Sequence, residues 1–207
     1  MSRKKAIIFD LDNTIYPVAS IADDLFRDLY QMIEREGGYR GDLEEIKKAI
    51  QRKPFQVVAR EFRFRDDLVS RGLTLLSQLQ YKGPIKHFED YALIKNMDLL
   101  KFLVTTGFTK LQLSKIKQLD LEKDFKECVI VDPSISSKTK KDVFKEIKER
   151  HNLKPEEILV VGDDIHSEIK AAKELGIDTV VYDYSGSHKQ MPGYTTITNY
   201  SDLKKFI

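Results

Sequence analysis

The sequence predicts an α/β fold, a doubly wound parallel sheet carrying a helical insert, on three observations. Short, nearly continuous apolar runs recur along the chain, each followed by a stretch with helical spacing. Acidic and polar residues gather directly after these runs, where the carboxyl ends of parallel strands would lie. One interval, between the first run and Lys101, breaks the alternation and reads as helix almost throughout.

The first predicted strand is Ala6-Ile7-Ile8-Phe9, an unbroken apolar run that suits a strand covered on both faces. It leads into Asp10-Leu11-Asp12-Asn13-Thr14. Side chains two apart on extended backbone point the same way, so Asp10 and Asp12 can converge on one reacting atom. Two carboxylates about 4 Å apart repel by roughly 4 kcal/mol at an effective dielectric near 20. A cation or a shared proton offsets that cost. An Asp-rich turn after a strand is the plainer alternative for this segment alone.

Residues 17–90 follow, with helices expected over 20–36, 42–52, 55–64 and 67–79. Gly37-Gly38, Lys53-Pro54 and Gly83-Pro84 punctuate them. The simplest organisation is a core built from residues 1–16 and 91–207, interrupted by a small helical subdomain over 17–90. Strands are then expected at 101–104, 128–131, 158–161 and 179–182, with helices near 109–119, 139–151 and 165–175. Asp10, Thr105, Asp132 and Gly162-Asp163-Asp164 all fall at strand ends, which outlines an active site.

Composition narrows the function classes. The chain has 207 residues, 41% hydrophobic and 33% charged, room for one medium domain or one domain plus a small insert. A net charge of +2 favours neither nucleic acid nor a membrane surface as partner. No apolar stretch approaches the ~20 residues that span a bilayer. The four apolar residues before Asp10 are too few for a signal-peptide core, and a cytoplasmic location is expected. The single cysteine, Cys128, excludes an intramolecular disulfide or a multi-cysteine metal site, and reads as a structural thiol.

Several later residues carry chemistry. Thr105, with nearby backbone N–H groups and Gly107 permitting close approach, suits a phosphate oxygen, although a Thr-Gly turn is often only a turn. Lys138, in Ser136-Ser137-Lys138-Thr139-Lys140-Lys141, suits a phosphoryl charge; as a lone residue it would more often be a solvated cation, and Lys140 and Lys141 leave the register open. Asp10 with Asp163 makes a hard oxygen site suited to Mg²⁺. Helix capping is the structural alternative for Asp164, and surface placement for His166. No GxxxxGK loop and no HExxH segment occurs.

The ordered set Asp-x-Asp-x-Thr, Thr, Lys and Gly-Asp-Asp, each after a separate strand, resembles the haloacid dehalogenase (HAD) superfamily of phosphatases. Phe9-Asp10-Leu11-Asp12-Asn13-Thr14 with Tyr16-Pro17 looks like that family's first motif, and Leu103-Val104-Thr105-Thr106-Gly107 its second, with Thr106 where many members carry asparagine. Lys138 lies six residues before Phe144, the spacing of the third motif, although the Pro-Asp-Pro that often follows the lysine is replaced by Thr139-Lys140-Lys141. Val160-Val161-Gly162-Asp163-Asp164 through Glu168 is similar to the fourth, with glutamate where aspartate is usual. The helical insert matches the family's type I cap on a Rossmann-like core.

The resemblance implies a Mg²⁺-dependent phosphohydrolase for a small phosphorylated metabolite. Asp10 would attack phosphorus to form an aspartyl-phosphate, and Asp12 would protonate the leaving oxygen and then activate water. Thr105 and Lys138 would hold the phosphoryl oxygens, with Thr14, Thr106 and Gly107 completing the substrate site. The metal ligands implied are the Asp10 carboxylate, the Asp12 backbone carbonyl and Asp163, with Asp164 as a further contact. Glu168 would act through other ligands. Dehalogenases of the family lack the second aspartate, so Asp12 favours phosphatase activity. The Phe9-to-Pro17 stretch is similar to pyrimidine nucleotidase-like members. Arg60-Glu61-Phe62-Arg63-Phe64-Arg65 would either meet a base or anion or form a solvated helix end. A phosphomutase of the beta-phosphoglucomutase type and a non-catalytic phospho-ligand module are the alternatives, and the sequence allows a monomer or a homodimer.

Overall fold

Strand Ala6–Phe9 (β1) takes the centre of the sheet because every side chain along it is apolar and buried. In this computed structural model, which describes residues 4–184, 186 and 192–207, it pairs in parallel with Leu100–Thr106 (β2) on one side and Ile158–Gly162 (β4) on the other. Glu127–Val131 (β3) joins outside β2, Asp178–Tyr182 (β5) outside β4, and Thr196–Ile197 (β6) outside β5. The order β3-β2-β1-β4-β5-β6 is wholly parallel. The chain runs outward from β1 to β3, then crosses back to β4, so the topological switch point falls between β1 and β4, where a doubly wound sheet offers its ligand crevice.

Alternation divides the sheet's side chains into two layers. Ala6, Ile8, Phe102, Val104 and Val160 face helices Lys140–Arg150 (α8) and Glu168–Lys173 (α9), which contribute Val143, Phe144, Ile147 and Ala172. Ile7, Phe9, Leu103, Leu159 and Val161 face the opposite core, shared with Thr109–Gln118 (α7) and the insert. The chain between β1 and β2 is helical, as expected: Ala22–Leu25 (α1), Arg27–Glu36 (α2), Leu43–Ile50 (α3), Phe55–Glu61 (α4), Asp66–Gln78 (α5) and Tyr91–Lys95 (α6). Asp42 caps α3 by accepting from Glu44 and Glu45 N–H groups. The Arg60–Arg65 segment resolves into packing and a solvated end: Phe64 is buried with its ring 5.8 Å from that of Phe55, and Arg65 pairs with Asp67 at 3.0 Å.

Differences from the sequence reading are local. The helix expected over 20–36 is broken at Phe26, which ends α1 with φ −102° and ψ 12° before α2 begins. The short strand β6 and helix α6 were not anticipated. Met1–Arg3, within the expected core, lie outside the described residues. Among the described residues no helix is long and apolar enough to cross a membrane.

Candidate active site

The carboxyl end of β1 turns directly into the site. Asp10 N–H still donates to Val161 O at 3.0 Å, which fixes it beside β4. Its carboxylate is 6% exposed and accepts from Lys140 Nζ at 2.6 Å. Burial pushes the Asp10 acid up to about 7; Glu168 and Asp12 add to the rise, and Lys140 opposes it. Lys140 also reaches Glu168 Oε2 at 2.8 Å, and the two carboxylates outweigh its burial to hold the ammonium above its usual range.

Asp163, at the end of β4, completes the acidic cluster. Carboxylate oxygens of Asp10, Asp163 and Glu168 lie within 4.8 Å of one another. Asp163 makes no ion pair among the described residues; burial first, then Glu168 and Asp10, holds its acid well above the usual carboxylate range. Glu168 reaches this point because Gly162 has no side chain: a Cβ there would stand 2.2 Å from Glu168 Oε1. The same Oε1 accepts from Asp164 N–H at 2.8 Å, while Oε2 meets Lys140. An all-oxygen donor set with one acid lacking a counter-charge fits a hard divalent cation such as Mg²⁺.

Asp12 lies across from this cluster and is engaged by several donors. Lys115 Nζ contacts its two oxygens at 2.8 and 3.0 Å, Tyr16 Oη donates at 2.5 Å, and Gln112 Nε2 donates at 3.1 Å. Burial alone would raise this acid, but Lys115 and the hydrogen bonds from Lys115, Tyr16 and Gln112 prevail and lower it. The intervening turn is held by Asn13, whose φ of 56° lies in the left-handed region; its Oδ1 accepts from Val18 N–H at 3.1 Å and its Nδ2 donates to Gln51 O at 3.3 Å. Gln51 immediately follows α3, so this bond ties the insert to the loop.

Thr105 is buried at the end of β2, and its Oγ1 accepts from Gln112 Nε2 at 2.6 Å. Thr106 is exposed, and Gly107 N–H donates to Val131 O at 3.0 Å. Thr14 is fully buried, its Oγ1 has no partner among the described residues, and its carbonyl accepts from Tyr200 Oη.

Two expectations need correction. Lys138 does not face the carboxylates: it is 45% exposed and pairs with Glu146 at 2.8 Å, and Lys140 occupies the position expected of it. Asp164 stands outside the cluster and accepts from His166 N–H at 2.8 Å, a turn-capping role. Conversely, Glu168 belongs to the cluster itself. Gln112 and Lys115 were missed, although polar residues inside the buried stripe Leu111, Gln112, Lys115, Ile116 of α7 are a readable signal. Cys128 is half-buried, and burial pushes its thiol up to about 11, as suits a structural role.

A parallel sheet with carboxylates and a lysine converging at its switch point defines a doubly wound α/β core with an acidic site at its carboxyl end. The chain belongs to the haloacid dehalogenase-like hydrolase family, whose model matches residues 4–176. It is 27% identical to a glyceraldehyde 3-phosphate phosphatase of Pyrococcus furiosus over 89% of this chain and 82% of that protein. It is 25% identical to a phosphorylated carbohydrates phosphatase of Thermotoga maritima, over 85% and 83%. Among solved structures, the haloacid dehalogenase-like protein SP0104 of Streptococcus pneumoniae aligns over 100% of both chains with a TM-score of 0.74 and 18% identity. The HAD-hydrolase YfnB of Bacillus subtilis, bound to magnesium, aligns over 99% and 98% with a TM-score of 0.66 and 18% identity. The likeness to pyrimidine nucleotidases finds no support in these relatives.

Proposed function

We propose that this chain is a Mg²⁺-dependent phosphatase of small phosphorylated carbohydrates, of which glyceraldehyde 3-phosphate is the first candidate. The observation that carries this reading is the placement of Asp10: a buried carboxylate at the switch point, 2.6 Å from Lys140 and clustered with Asp163 and Glu168. The names of the curated relatives support the substrate class.

Asp10 is the nucleophile, attacking phosphorus to give an aspartyl-phosphate as the substrate's oxygen leaves. Asp12, ionised in the resting site, takes up a proton that the phosphate monoester brings as its monoanion and delivers it to that oxygen, then takes one from the water that splits the acyl phosphate. Lys140, in place of Lys138, neutralises charge on the phosphoryl oxygens, and the Thr105 hydroxyl with the backbone of Thr106 holds them, the Gly107 N–H being taken by Val131 O. Thr14 supports the loop from below. Asp10, the Asp12 carbonyl and Asp163, with Glu168 beside them, would hold the cation, which when bound supplies positive charge for the phosphoryl group. Residues 17–90 act as the cap that excludes water from the first step.

The test is phosphate release from glyceraldehyde 3-phosphate and a panel of small phosphate esters, with Mg²⁺, with EDTA, and for Asp10→Asn. Turnover is expected to need both metal and Asp10, the substitution costing at least about 10³-fold in kcat. Isomerisation of a sugar phosphate without phosphate release would make the enzyme a mutase, and no turnover by folded protein would overturn the reading.

A further inference from the structure

Helix α7 contributes Gln112 and Lys115 to the site, three residues apart and on one face. They are 1% and 3% exposed, surroundings in which a lysine or an amide is costly unless its polar groups are used. Their hydrogen bonds run to the site: Gln112 Nε2 lies within hydrogen-bonding distance of Asp12, Thr105 and Thr106 O, and Lys115 Nζ donates to both Asp12 oxygens, while Gln112 Oε1 is buried with no partner among the described residues. The amide orientation follows from its partners, because a carboxylate and a backbone carbonyl only accept. Thr105 Oγ1 therefore accepts from Gln112 and keeps its own proton for another acceptor. Lys115 also lies 5.9 Å from the centre of the Tyr16 ring, whose hydroxyl donates to Asp12. Donors from Lys115, Gln112 and Tyr16 thus fix the Asp12 carboxylate from separate directions.

We infer that Gln112 and Lys115 are a positioning pair for the reaction: Lys115 holds Asp12 at the leaving-group oxygen, and Gln112 turns the Thr105 hydroxyl toward the phosphoryl group. The inference rests on the phosphatase reading and extends it to α7, where no motif pointed. Holding an acid in place matters most when the departing oxygen is a poor leaving group. An alkoxide must be protonated as it departs, whereas p-nitrophenolate leaves without help.

The experiment compares kcat/KM for glycerol 3-phosphate and p-nitrophenyl phosphate in wild type, Lys115→Met and Lys115→Arg, all with Mg²⁺. With Lys115→Met the alkyl ester should lose about 100-fold, the scale of a misplaced catalytic group, and the aryl ester no more than about 5-fold. Lys115→Arg, which keeps a cationic donor, should recover most of the loss on the alkyl ester. Equal losses on both esters, the mark of a lower fraction of folded enzyme, would overturn the inference and leave the phosphatase standing. Wild type inert toward both esters would overturn the phosphatase reading and the inference with it. Should Lys115→Met fail to fold, Lys115→Gln carries the same comparison, with the same selective loss expected and an equal loss again decisive against it.

Discussion

Lys140 bridges two carboxylates at once, Asp10 at 2.6 Å and Glu168 at 2.8 Å, with only 7% of its surface exposed. Removing it leaves two buried acids without their partner, so Lys140→Ala is expected to cut kcat by about 10²- to 10³-fold. Lys138→Ala, which loses only a surface pair with Glu146, should stay within about twofold of wild type. Steady-state kinetics on p-nitrophenyl phosphate decides between them, and a crippled Lys138→Ala beside an active Lys140→Ala would reverse the assignment. Spacing to Phe144 misled here because it counts residues without fixing where the helix starts. Thr139 and Asp142 form a capping box that makes Lys140 the first helical residue. Side chains on a helix tilt toward its N-terminus, and from that position Lys140 reaches back over the strand ends. Asp10 and Asp163, by contrast, were legible because a strand end alone places them, whereas Asp12 is also held by Gln112 and Lys115 from distant chain.

At the scale of elements, the central strands could be read because unbroken apolar runs such as Ile158–Gly162 have few other uses in a chain this charged. β6 has two residues, Thr196–Ile197, too few for a period to show, and its place follows from β5 beside it. The break at Phe26 was equally silent: its ring is buried, as a continuous helix would also have it. The segment ahead of α6 was read only as punctuation, yet it forms a seam with α7. His87 stacks on Tyr91 at 4.1 Å and its Nε2 bonds the carbonyl of Leu119 at 3.0 Å. Burial lowers the His87 pKa, so the fold prefers neutral imidazole. A depressed folded value means that this preference costs nothing above the unfolded value near 6.5 and destabilises as pH falls below it. Wild type should therefore lose urea resistance relative to His87→Gln between about pH 7 and pH 5. A stability difference that stays flat across that window would sink this account of the seam.

For the molecule as a whole, the match to the family model ends at residue 176, but the chain beyond it is built into the carboxyl end of the sheet. Tyr200 is fully buried, stacks on Tyr182 of β5 at 4.2 Å, and donates its backbone N–H to Asp90 Oδ2 at 2.7 Å. Its hydroxyl crosses to the Thr14 carbonyl, in the loop that presents Asp10 and Asp12. The 3₁₀ turn at Tyr200–Lys205, the end of β5 and the segment before α6 thereby close around the loop that carries Asp10 and Asp12. Tyr200→Phe keeps the ring stack and removes only the donor, leaving the Thr14 carbonyl buried without that partner. It should cost about 1–3 kcal/mol in urea unfolding. Because the freed carbonyl sits two residues beyond Asp12, kcat should also fall, by about 3- to 10-fold, while KM stays near that of wild type. A loss of stability with unchanged kcat would show that the C-terminal turn braces the sheet and leaves the loop indifferent. A loss in both would make residues 196–207 part of what holds Asp10, the proposed nucleophile, in place.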